Sequence, residues 1–220
     1  MTDPPFASNR PSEDIHNVTR PLTIAARLLL VLLLLLPASL PAKPGGGRAF
    51  EKVRIETSEG TIVVRLDMRR APITAANFLR YTQAGRFDNT SFYRAARNRK
   101  APQFGLVQGG INRNARKAFN PIPHEPTSRT GLRHVDGTLS MARNAPGTAM
   151  GEFFFTLGPA HYLDGRPGSP GYAAFGRVLE GMPVLKKILA GATYPGGWSQ
   201  ATKGQSLIKP VRIIRVRRVG

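Results

Sequence analysis

The sequence predicts a mainly β domain closed into an antiparallel barrel. Three observations lead there. Short runs of alternating apolar and polar residues recur between positions 50 and 219. Two segments have helical spacing, and there is no strand–helix–strand alternation of the kind a parallel sheet needs. The 23 glycines and 19 prolines among 220 residues supply the turns that many short strands require. A closed barrel pairs every strand on both sides and leaves no sheet edge open.

Taken in order, residues 50–57 (FEKVRIET) and 61–66 (TIVVRL) alternate and flank Ser58-Glu59-Gly60, which reads as a hairpin. Residues 71–84 carry Pro72 at a helix start and Gly85 at its stop, with Ala75, Phe78, Leu79 and Thr82 on one face. Extended segments follow at 91–94, 104–108, 137–143, 152–157 and 174–179. Residues 182–190 read as a short helix with Val184, Leu185 and Ile188 inward, and 206–219 as a last alternating strand. The basic stretch 97–103 between two strands reads as a solvated loop.

The first forty-odd residues read differently. A polar extension is followed by Arg20, Arg27 and an uninterrupted apolar run, 28–36, that is shorter than the ~20 residues needed to span a bilayer. Small residues, Ala38 and Ala42, close it. We read 1–42 as a signal peptide or, alternatively, an uncleaved membrane anchor, 43–49 as a linker and 50–220 as the folded domain. The expected location is the periplasm or beyond, or the inner membrane facing the periplasm.

Composition excludes several functions. With no cysteine, a disulfide framework, a thiolate nucleophile and Cys-ligated metal are ruled out. The four histidines, at 16, 124, 134 and 161, form no i, i+4 pair, so no metal site is expected. The net charge of +19 favours weak attraction to polyanions or anionic membrane surfaces. The basic residues are scattered, however, and the densest runs, 94–100 and 211–219, match no nucleic-acid-binding motif. No specific nucleic acid is expected.

Three groups of motifs carry more information: FDNTSFYR (87–94) with FGLVQGG (104–110), GTLSMAR (137–143) with GEFFFT (151–156), and YLDG (162–165) with GYAAFGRV (171–178). In this order and spacing the sequence resembles the cyclophilin-type peptidyl-prolyl cis-trans isomerases, the exported bacterial subtype most closely. The resemblance covers about 53–219. It implies an eight-stranded barrel capped by two helices, rotation of X-Pro peptide bonds, no cofactor, and unfolded or proline-containing polypeptides as partners of a monomer. It assigns Arg94 as catalytic and Gln108 as its orienting partner. Leu106, Phe154, Leu163 and Tyr172 are implied to line the proline slot, with Phe104, Met141, Arg143, Glu152 and Tyr162 also bordering the substrate. The three phenylalanines at 153–155 cannot all line it, because neighbours on a strand point to opposite faces.

The chemistry suits those residue types. Amide rotation faces a barrier of about 18–20 kcal/mol from C–N resonance, and no bond is broken, so neither nucleophile nor base is required. A guanidinium offers fixed donors to the twisted amide. The sequence departs from the family at several places: Gly105 where a phenylalanine is usual, Glu152 for glutamine, Tyr162 for tryptophan, Arg143 for asparagine, and an interval between Arg94 and Gln108 that is longer than usual. Glu152 is expected to pair with Arg94 or Arg143, and the loss of the tryptophan to weaken cyclosporin-like macrocycles. The rival reading is a non-catalytic chaperone or scaffold that holds proline segments in the same groove.

Overall fold

A computed structural model describes residues 48–220. The segment read as signal peptide or anchor (1–42) and most of the linker lie outside the described residues. The strands are β1 (Phe50–Thr57), β2 (Gly60–Asp67), β3 (Thr90–Arg97), β4 (Gly105–Gly110), β5 (Thr138–Met141), β6 (Glu152–Leu157), β7 (Ala173–Glu180), β8 (Thr193–Tyr194) and β9 (Ser206–Val219). The helices are α1 (Pro72–Gln83), a single turn α2 (Thr127–Thr130) and α3 (Met182–Leu189).

Eight strands form one antiparallel ring in the order β1-β2-β7-β5-β6-β4-β3-β9, and β9 closes it by pairing with β1. Two-residue β8 is appended to β9. The expected barrel is therefore present. Neither β8 nor α2 is foreseen by the alternation or helical spacing read above.

Alternation decides what lies inside. Phe153 and Phe155 on β6 point into the barrel and meet Phe92; Phe153 also packs edge-to-face on Phe78 and Phe87, with ring centroids 5.2 and 5.3 Å apart. All these rings are essentially inaccessible to water. Burying each stabilises the fold by about 1.5–3 kcal/mol. Phe154, between them, points out.

Both longer helices are capped from a distance. Ala71 offers no side-chain cap to α1. The buried Glu125 carboxylate does so instead, accepting from the Ile73 and Thr74 N–H groups at 3.2 and 2.7 Å and from the Thr74 hydroxyl at 2.6 Å. At the C-terminus of α3, Arg97 donates to the carbonyls of Leu189 and Gly191 at 2.9 and 2.7 Å and to Thr193 Oγ1. The expectation of a solvated loop from residue 97 is thus corrected: Arg97 ends β3, and its charge meets the negative end of a helix.

Candidate active site

One row of cross-strand partners builds the site. Arg94 on β3 is opposite Gln108 on β4, Gln108 is opposite Phe154 on β6, and Phe154 is opposite Ser140 on β5. Directly paired residues project from the same face, so these side chains stand side by side outside the barrel, one strand spacing of about 4.8 Å apart.

Arg94 reaches that face only because β3 bulges. Simple alternation would put Phe92 and Arg94 on the same side, and Phe92 is in the core. Between them the register slips: Phe92 pairs with Gly109 and Arg94 with the next residue, Gln108, so Tyr93 is the extra residue. The bulge turns the guanidinium outward. Gly109 is needed here, since a Cβ on it would lie 2.8 Å from the Phe92 ring.

The guanidinium is tightly held. Nη1 donates to Gln108 Oε1 at 2.7 Å, while Nε and Nη2 both donate to Gln205 Oε1, at 2.8 and 2.6 Å. Burial lowers its pKa from the ordinary value, opposed by Tyr93, Tyr172 and Tyr162 around it. It stays cationic at any physiological pH. Gln108 is fixed in turn: its Nε2 donates to the Tyr93 hydroxyl at 2.8 Å, which donates to Glu152 Oε2 at 2.8 Å. Glu152 also accepts from the Arg113 N–H at 2.6 Å. Burial raises the pKa of both Glu152 and Tyr93. Glu152 therefore pairs with neither Arg94 nor Arg143, contrary to the sequence expectation. The bulge places Tyr93 between it and the guanidinium.

Beside Arg94 lies a small apolar cluster separate from the main core: Phe154, Ala160 and Leu163, with Leu106 and Tyr172 packed against it. The Tyr172 ring stands perpendicular to Phe154 at 5.5 Å. Tyr162 is 62% exposed at the rim. Arg143 lies over the Tyr172 ring, 4.8 Å from its centroid, and donates to the carbonyls of Gly171 and Asn144. One expected residue lies elsewhere. Met141 is in the barrel core opposite Phe153, because its strand neighbour Ser140 takes the outward position. Phe104 precedes β4 and stands partly exposed against Gly158. Gly105 has φ +152°, and a Cβ there would come within 2.1 Å of the Ala96 carbonyl. The family's phenylalanine has no room at this position.

A buried relay backs the slot. The His134 ring stacks on Phe154 at 6.0 Å, with an interplanar angle of 10°. Its Nδ1 is 2.7 Å from Asp164 Oδ1 and its Nε2 is 2.8 Å from Ser140 Oγ. A carboxylate only accepts, so Nδ1 carries the proton and Nε2 accepts from the serine. Burial lowers the pKa of His134, and the hydrogen bonds from His134 lower that of Asp164. The connectivity is that of a hydrolytic triad, but Ser140 is wholly buried and no substrate reaches it. Its place behind Phe154 and next to Leu163 makes it a support for the slot.

Sequence reading missed Gln205, Tyr93 and His134. Tyr93 lay inside a quoted motif, and His134 could be flagged only as a histidine near Ser140. Gln205 is 111 residues from Arg94 in sequence and carried no signal.

Residues 52–218 match the family model described as cyclophilin type peptidyl-prolyl cis-trans isomerase/CLD. The chain is 32% identical over 166 residues to a peptidyl-prolyl cis-trans isomerase of Acinetobacter baylyi, covering 75% of this chain and 84% of that protein. It is 34% identical over 160 residues to peptidyl-prolyl cis-trans isomerase B of Escherichia coli, covering 71% and 94%. The fold is similar to a Cryptosporidium parvum cyclophilin type isomerase, with a TM-score of 0.59 and 22% identity over 78% of this chain and 98% of that one.

Proposed function

The chain belongs to the cyclophilin-type peptidyl-prolyl cis-trans isomerases, and from that premise we propose that Arg94 and the Phe154–Leu163 slot are its catalytic machinery. The activity is rotation of X-Pro bonds in proline-containing polypeptides. The observation that carries the site assignment is the row Arg94–Gln108–Phe154, which sets an anchored guanidinium beside an apolar slot.

The proline ring has no N–H and seats in the slot formed by Phe154, Leu163, Leu106 and Tyr172. With the ring held, the chain on the other side of the bond turns. As the amide twists out of plane, resonance is lost and its nitrogen regains a lone pair. Three donors of Arg94 are occupied by Gln108 and Gln205; the remaining N–H groups point a fixed positive charge at the twisted bond. A planar amide nitrogen accepts poorly, so this interaction strengthens toward the transition state, and only such differential binding raises kcat. The glutamines keep the guanidinium oriented, so it does not have to reorganise as the bond turns.

The test is a protease-coupled assay on a short X-Pro peptide. Arg94→Ala is expected to lower kcat/KM by tenfold or more in a protein that still unfolds cooperatively. Equal rates in the two proteins would remove Arg94 from this role.

The cellular setting is part of the same proposal. The apolar run 28–36 with its basic flank supports export, so that newly exported chains are the clients and the domain works as a monomer outside the cytoplasm. Intact-mass measurement on fractionated cells decides between a cleaved leader and a retained anchor, and recovery in the cytoplasm would overturn the proposal of export.

A further inference from the structure

On the outer face of the barrel, a second cleft shares no lining residue with the proline slot. Arg65 on β2 and Arg177 on β7 are direct cross-strand partners, so both guanidinium stems leave the same face. Arg133, from the segment before β5, and Arg70, just after β2, complete the rim of a cavity of about 240 Å³. The segment 131–135 that walls this cleft also carries His134, whose ring backs Phe154 on the other side.

The charges here are not balanced. Asp67 is the one carboxylate in the lining among the described residues. It is buried and already accepts from the Arg69 and Arg70 N–H groups and from Arg70 Nε at 2.7 Å. Arg133 comes no nearer than 4.0 Å to Asp164, a carboxylate held by His134. Arg65 stacks on the Phe50 ring at 4.4 Å, which fixes its direction without neutralising it. Arg177 has no acidic partner among the described residues. Like charges directly opposite on neighbouring strands are destabilising. This fold nevertheless brings two together and adds a third across a concave surface.

We infer that this cleft is a binding site for a polyvalent oxyanion of the phosphate class. Guanidinium forks match tetrahedral oxyanions in paired hydrogen bonds, and a dianion compensates the converging charge as a single carboxylate cannot. The phosphate can be free or a group on a phosphate polymer; the chemistry of the cleft is the same.

Calorimetric titration of the protein with inorganic phosphate, pyrophosphate and long-chain polyphosphate, at constant ionic strength set with chloride, tests the site. Saturable one-to-one binding of pyrophosphate in the submillimolar range is expected. The R65A/R177A double variant should bind at least tenfold more weakly. Arg69→Ala, which removes an exposed charge outside the cleft, should bind as the parent does. The double variant should keep its rate on the X-Pro peptide, which shows that it folds and separates this site from Arg94. Arg177→Gln alone repeats the test with a side chain of similar length, should the double variant not fold. Tight binding of phosphate or pyrophosphate as well as polyphosphate identifies a free anion as sufficient; tight binding of polyphosphate alone, if lost in the variants, identifies the polymer. Equal affinity in parent and cleft variants, or the same loss in Arg69→Ala, would mean attraction by net charge and overturn the site.

Discussion

Arg94 owes its position to two glutamines from distant parts of the chain, and their contributions are separable. Gln205 accepts two of the three recorded bonds, Gln108 the third. A hydrogen bond to a charged group contributes about 1.5–3 kcal/mol. Gln205→Ala leaves Arg94 in place but free to swing about Gln108, so kcat should fall by roughly 3- to 30-fold with KM little changed. Unchanged kcat in the peptide assay would show that Gln108 alone suffices. Gln108 was legible beforehand because it sits in a motif next to Arg94's strand. Gln205 was not, because its proximity is created by the pairing of β3 with β9 and by no local pattern.

His134 supports the slot as a neutral ring. Its pKa is held below the ordinary 6.5 by burial, so as pH falls the unfolded chain takes up the proton first. The stability it contributes is fully present above about pH 6.5 and is lost as pH drops through the folded-state value. Asp164, whose pKa is lowered from 3.8, adds a loss in the same direction only in more acid solution. Glu152 works the other way, since its raised pKa favours the fold on protonation. Comparing the wild type with His134→Asn isolates the histidine. Denaturant melts at pH 7.5, 6 and 5 should show a steeper decline in the wild type, and parallel profiles would remove His134 as the cause.

Among the elements, the strands were readable because period-two alternation survives in them. The FFF run at 153–155 divides into two core rings and one slot ring as that rule requires. The bulge in β3 was not readable. The pattern Phe92-x-Arg94 places both on one face, and only the slip against β4 separates them. Helix ends were hidden for a similar reason, as Glu125 and Arg97 cap helices about 50 and 90 residues away. Arg97 satisfies two carbonyls that α3 and its exit turn leave without partners. Arg97→Ala should therefore cost about 1–3 kcal/mol, a fall in Tm of roughly 2–10 °C for a domain of this size. Arg97→Lys keeps the charge but not the fork and should recover part of the loss. If the alanine variant melts with the parent, the arginine is a bystander at the helix end.

At the scale of the whole molecule, β9 is the closing seam, and it explains where much of the basic charge goes. The run 211–219, one of the two densest basic stretches, belongs to the strand the alternation predicted. In the fold Arg215 pairs with Glu56 at 2.8 Å, Arg217 with Asp88 at 2.7 Å and Arg218 with Glu51 at 2.5 Å. Two of these carboxylates lie on β1, so the arginines lace the last strand to the first. The more exposed pairs of Arg215 and Arg217 contribute little individually, about 0–1 kcal/mol. Greater weight falls on Ile213 and Val216, which are wholly buried, and on the backbone ladders to β1 and β3. Removing residues 211–220 would expose the edges of both neighbouring strands and empty that part of the core at once. A chain ending at Pro210 should lose cooperative thermal unfolding, bind a hydrophobic dye and aggregate through the two open edges. By contrast, the double variant Arg215→Gln, Arg217→Gln, which removes only exposed charge, should still fold and lose no more than about 2 kcal/mol. Cooperative melting of the truncated chain near the parent's Tm would mean that the barrel does not depend on being closed.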